Sequence, residues 1–105
     1  MKGDGQGDGA SQGASDGPEN KPLIEYPTVY TFKVMGRQAP DFVDYVRDLF
    51  RALMGTELSP DSIREQPSSK GTYVSLSVSV FLLSEEHRRS IYTRLRQEQR
   101  VVYYL

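Results

Sequence analysis

The chain contains no cysteine, a single histidine (His87) and a single asparagine (Asn20). Without cysteine there can be no disulfide framework and no thiolate metal site, a composition suited to a reducing cytoplasm, where we expect the protein to reside. His87 has no accompanying set of metal-ligand residues in the sequence, and it falls in an arginine-rich helical stretch rather than beside a serine and an orienting acid. It reads as a surface or boundary histidine, so no catalytic residue, metal or cofactor is expected. No apolar run approaches the ~20 residues of a membrane span, and the N-terminus lacks the basic start and hydrophobic stretch of a secretory signal. The membrane is therefore not an expected partner.

Charge of one sign is also lacking. The formal net charge of −1 hides a division: residues 1–25 carry two basic and five acidic side chains, while residues 26–105 carry eleven basic and nine acidic ones. The second part is mildly basic, too weakly so for the dense basic stripe of a nucleic-acid-binding domain. Residues 1–22 are Gly, Ser, Asp and Gln with almost nothing apolar. Such a segment cannot bury enough surface to offset the entropy of ordering, which predicts a disordered acidic tail. One domain is expected over residues 23–105.

What is present is pattern. From Thr72 to Leu83 the sequence alternates, with Val74, Leu76, Val78, Val80 and Leu82 on one side of a strand and Tyr73, Ser75, Ser77, Ser79 and Phe81 on the other. One face of this strand needs a core; the serine face can sit in water. Thr28–Met35 predicts a first strand with Tyr30, Phe32 and Val34 inward, broken by Gly36-Arg37-Gln38. Apolar residues at helical spacing from about Pro40 to Met54 predict a helix that Gly55 ends in a left-handed conformation. Ser62–Gln66 reads as an edge strand. Ser84 is placed to cap a second helix with Ile91 and Leu95 inward. Arg100–Leu105 reads as a last strand with Val101, Tyr103 and Leu105 on one side, which leaves Tyr104 on the open face of the sheet.

Strand, helix, strand, strand, helix, strand predicts an α+β fold. It is the ferredoxin-like βαββαβ arrangement, a four-stranded antiparallel sheet with two helices on one face. Tyr26-Pro27-Thr28, Thr31-Phe32-Lys33-Val34-Met35-Gly36 and Pro67-Ser68-Ser69-Lys70-Gly71, followed by the serine-rich strand, resemble the YbeD family of small bacterial proteins, a domain of unknown function. The likeness runs from about Tyr26 to Leu105, through Ile91-Tyr92 and Leu95. It implies a ferredoxin-like fold similar to ACT-type regulatory domains, and no established activity. In ACT-type domains a glycine after the first strand lines an effector site; Gly36 is the position that matches.

The fold should bring Gly36 and Arg37 beside Ser68, Ser69, Lys70 and Gly71, near the start of the first helix. These donors could hold a carboxylate or phosphate, although a plain hairpin loop needs the same residue types and Asp41 opposes an anion. A second candidate is an interaction face formed by Tyr73, Ser75, Ser77 and Ser79, or by the basic second helix with Arg88 and Arg89. Acylphosphatase chemistry on this architecture uses an arginine with an asparagine, and Asn20 lies in the tail. RNA-recognition modules stack bases on aromatics that Thr72, Val74 and Ser77 replace here, so single-stranded RNA is the weakest alternative. The expected function is a non-enzymatic regulatory or binding module, sensing a small anionic metabolite or docking on a partner enzyme. A second copy of the chain stands among the candidate partners.

Overall fold

A computed structural model describes residues 24–105; the acidic segment 1–22 expected to be a disordered tail lies outside the described residues. The elements are β1 (Thr28–Arg37), α1 (Phe42–Met54), a 3-10 turn (Pro60–Ser62), β2 (Ile63–Pro67), β3 (Tyr73–Leu82), α2 (Glu85–Gln97) and β4 (Tyr103–Tyr104). The sheet order is β2-β3-β1-β4, every neighbouring pair antiparallel. This is the ferredoxin-like α+β arrangement expected from the sequence.

β1 and β3 form the centre, in register from Thr28 opposite Leu82 to Arg37 opposite Tyr73. Period-two alternation then decides everything about the two faces. Phe32, Val34, Val74, Leu76, Val78 and Leu82 are buried on the helix side, where they meet Val46, Leu49 and Phe50 of α1 and Ile91 and Leu95 of α2. Phe32 joins the layers: its ring centre lies 5.7 Å from that of Phe50 and 4.9 Å from those of Tyr30 and Tyr92. Removing it would cost about 3–5 kcal/mol.

The helix ends follow their caps. Gly55 adopts φ +73° and its N–H donates to the Arg51 carbonyl at 2.9 Å, and the Ser84 hydroxyl accepts from the His87 N–H at 3.1 Å. α1 starts two residues later than Pro40. The Phe42 N–H reaches back to the Ala39 carbonyl and the Tyr45 N–H to the Asp41 carbonyl, so Pro40 belongs to a tight turn.

Two sequence expectations need correction. Gly36 and Arg37 do not break β1; they pair with Val74 and Tyr73 and continue it. The last strand is only Tyr103–Tyr104. Tyr104 faces the helices, opposite the inward Val34 and with its ring 6.0 Å from that of Tyr92, while Tyr103 is on the open side. The reason is local: the Val101 N–H bonds the Glu98 carbonyl, so the chain turns there and strand alternation does not extend back to Val101.

Candidate functional site: the open face of the sheet

At the end of β1, the groups expected to converge are only partly brought together. Gly36 is buried, and a Cβ there would overlap the Phe42 ring and stand 2.7 Å from the Arg100 carbonyl oxygen. The glycine is thus required by close packing and presents nothing to a ligand. Asp41, at the start of α1, accepts from both terminal nitrogens of Arg100, at 2.9 and 3.1 Å, and this guanidinium lowers its carboxyl pKa. These groups lie on the helix side. Arg37 is at an odd position of β1, so it projects from the other side, its guanidinium 5.8 Å from the Tyr73 ring centre.

The β2–β3 hairpin is held by its own residues. The Ser68 N–H donates to the Tyr73 carbonyl at 2.8 Å, the Gly71 N–H to the Ser68 carbonyl at 3.1 Å, and the Tyr73 N–H to the Ser68 hydroxyl at 3.3 Å. Gly71 takes φ +72°, which favours glycine. The Gln38 N–H bonds the Thr72 carbonyl at 2.9 Å, tying the end of β1 to this turn. Ser69 and Lys70 are exposed at its tip. So Arg37 and the hairpin are neighbours, as expected; Arg37 also lines a groove with Ala39 and Arg100 next to the start of α1, while Gly36 stays buried.

Arg88 and Arg89 also differ from their sequence reading as one basic side. Arg88 donates to Glu85 at 2.7 and 3.1 Å and packs over the rings of Tyr30 and Tyr92, 5.7 and 5.6 Å from their centres. With Tyr26 donating to the same carboxylate at 2.6 Å, it fastens the start of the described chain to α2. The Arg88 guanidinium first, and the Tyr26 hydroxyl second, hold the Glu85 carboxyl down at about 2. Arg89 is exposed and reaches Glu85 at 3.1 Å. Both arginines are in the helix layer, on the opposite side of the sheet from Ser75, Ser77 and Ser79.

The open face itself is the coherent surface. Register places Val29 beside Phe81, Thr31 beside Ser79, Lys33 beside Ser77, Met35 beside Ser75 and Arg37 beside Tyr73. β2 adds Arg64 next to Ser77 and Gln66 next to Ser75; β4 adds Tyr103 next to Met35. A continuous row therefore runs Arg64, Ser77, Lys33, two cations with only a serine between them. Among the described residues no carboxylate occupies an open-face strand position, and Lys33, Arg37 and Arg64 have no ion-pair partner. The Thr31 and Ser79 hydroxyls bond each other at 2.9 Å. Sequence reasoning missed Lys33, Met35, Arg64, Gln66 and Tyr103. The alternation within β1 already put Lys33 outward; only the pairing of β2 with β3 could show Arg64 beside it.

Comparison with known proteins agrees with this architecture. A family model described as "Protein of unknown function (DUF493)" matches residues 21–105. This chain belongs to the DUF493 family.

Relatives within reach include a UPF0250 protein of Paraburkholderia phymatum, 36% identical over 78 residues that span 74% of this chain and 86% of the relative. A UPF0250 protein of Leptothrix cholodnii is 31% identical over 78 residues, 74% of this chain and 85% of the relative. The UPF0250 protein YbeD of Salmonella arizonae is 36% identical over 73 residues, 70% and 80% of the two chains, in keeping with the YbeD-like resemblance read from the sequence. The solution structure of protein HP0495 from H. pylori has the same fold, with a TM-score of 0.66 at 22% identity, covering 90% of this chain and 98% of that one. The DUF493 match leaves residues 1–20 outside the family region. Among the described residues no helix is long and apolar enough to cross a membrane, and no group of three or more His, Cys, Asp or Glu is placed to hold a metal ion.

Proposed function

We propose that the protein is a non-enzymatic, cytoplasmic binding module that docks an acidic segment of a partner protein on the open face of its sheet. One observation carries this reading: Lys33 and Arg64 flank Ser77 with Arg37 farther along the same face, and among the described residues no open-face strand position holds a carboxylate. Short serines let a partner backbone approach the sheet closely, and cations at its middle without an ion-pair partner among the described residues favour an anionic chain and speed its encounter. Regulation of a partner enzyme, the role that likeness to ACT-type domains suggests, is compatible with such docking.

A small-anion site at Gly36, Arg37 and Ser68–Gly71 has less support, because Gly36 is buried, Ser68 and the Gly71 N–H are spent within the hairpin, and Ser69 and Lys70 stand exposed at its tip. Single-stranded RNA is disfavoured by the placement of the aromatics. Tyr73 and Phe81 are eight positions apart, about 26 Å along an extended strand, and the Arg37 guanidinium already lies over Tyr73. The middle of the face offers Ser75, Ser77, Lys33 and Met35, and the remaining open-face aromatic, Tyr103, lies out on the β4 edge beside Met35.

The test is an amide-shift titration with a triglutamate-containing peptide. Shifts centred on Lys33, Arg64, Ser75 and Ser77 that weaken with added salt are expected. Shifts confined to the 68–71 turn, or tighter binding of oligouridylate to the same face, would overturn the reading.

A further inference from the structure

A second feature adjoins the open face and belongs to the other end of β3. β2 stops at Ile63, opposite Val78, so the edge of β3 beyond that point is not covered by a strand. The chain from the end of α1 to the 3-10 turn lines the facing side instead. The result is a groove of about 340 Å³ walled by Met54, Leu58, Val80, Phe81 and Leu83. Phe81 and Leu83 are more than half exposed.

Apart from Thr56, the polar side chains around this groove are already engaged. The Ser59 and Ser62 hydroxyls bond each other at 3.0 Å, the Ser79 hydroxyl bonds Thr31, Glu57 is paired with Arg51 at 3.3 Å, and His87 Nε2 is 3.1 Å from the Leu53 carbonyl oxygen. A polar metabolite would find mostly apolar side-chain walls, with free hydrogen-bonding groups confined to Thr56 and the uncovered backbone edge of β3, and would lose much of its hydration in entering. An apolar group loses nothing by entering, and a volume of this order suits one large side chain with room for its neighbours.

Ser79 and Phe81 belong both to the groove and to the open face. Resting on the acidic-partner reading above, we infer that the groove is the anchor pocket of the same docking surface, taking a bulky apolar side chain of the partner's acidic segment. The geometry sets the spacing. Phe81 is four positions from Ser77, where Lys33 and Arg64 flank the strand, a distance of about 13 Å in extended chain. The recognised segment therefore carries its carboxylates about four residues from its apolar anchor.

Two capped heptapeptides test this: one with phenylalanine first, three serines, then three glutamates, and one with alanine in place of phenylalanine. Their dissociation constants are measured on the full chain by amide-shift titration. The phenylalanine peptide is expected to bind about tenfold more tightly, the gain from burying one such side chain. Its ring protons should show intermolecular NOEs to the Leu58 and Leu83 methyl groups. A Leu58→Ala/Leu83→Ser variant should erase the difference while leaving the alanine peptide's affinity within about twofold. The NOE measurement on the unaltered protein decides the matter even if that variant does not fold. Equal binding of both peptides, or NOEs elsewhere, would overturn the anchor pocket and leave the acidic-face reading standing. Failure of both peptides to bind would remove the acidic-face reading and the pocket together.

Discussion

The ring of Phe42 occupies the space in which a side chain on residue 36 would have to stand. This contact lets the first turn of α1 close onto the end of β1. Arg100 then covers Phe42, its guanidinium 5.6 Å from the ring centre, while its carbonyl oxygen bounds Gly36 from the other side. Substituting Gly36→Ala should destabilise the fold by about 2 kcal/mol through overpacking, read as a lower urea midpoint at unchanged slope. Combining it with Phe42→Leu should recover part of the loss, since the smaller side chain can make way.

Gly55→Ala tests a different cause. An added Cβ would meet nothing within 4 Å, but φ is +73°. The cost should be about 1 kcal/mol, arising from the backbone alone, and no neighbouring substitution should rescue it.

Glu85 makes stability depend on acid. Its carboxyl is held down at about 2, chiefly by Arg88, against an ordinary value of 4.5. Its contribution is therefore fully present above about pH 4.5 and is lost as the pH falls toward 2. Solvent screening of a partly exposed pair limits it to about 1 kcal/mol. Glu85→Gln should lower stability at pH 7 and converge on the unaltered protein near pH 2, as followed by urea denaturation across that range.

Tyr45 acts at the alkaline end. Burial first, and its hydrogen bond to Glu98 second, push the hydroxyl up to about 12. The stabilisation is complete below pH 10 and disappears as the pH rises through 12. In Tyr45→Phe that portion of the alkaline loss should be absent, and an absorbance titration should lack one late-ionising tyrosine.

Charge reversal on the open face should separate binding from folding. Lys33→Glu and Arg64→Glu alter exposed side chains without an ion-pair partner among the described residues, so each should change stability by less than about 0.5 kcal/mol. Each should nevertheless weaken an acidic peptide at least several-fold and flatten the salt dependence of its binding. Arg88→Ala should do the reverse, lowering stability through the loss of Glu85, Tyr30 and Tyr92 contacts while leaving that affinity unchanged.

Much of the fold could be read directly from the residues. The alternation through β3 and β1, the apolar stripe of α1, the glycine that ends it and the serine that caps α2 are local signals. Each depends on neighbours within a turn or on period two. The last strand was less legible because a backbone turn at Glu98–Val101 resets which residues face inward, and nothing in six residues signals that reset. The expected donor cluster likewise assumed that nearness along the sheet means a shared surface. Arg37 lines a groove with Ala39 and Arg100 at the end of the sheet, but the Asp41 carboxylate there is taken up by Arg100 and buried Gly36 has no side chain to add.

Taken alone, the order of residues determined which side chains must be hidden and which elements could hide them, since burial pattern and backbone preference act over a few positions. It also determined that Lys33 and the serines of β3 point away from the core. Only the folded sheet decided that Arg64 stands beside Ser77, that Arg88 is consumed by Glu85 and two tyrosine rings, and that the early end of β2 opens a groove next to Phe81. Those outcomes depend on register between strands distant in sequence, which is set by the packing of the whole core.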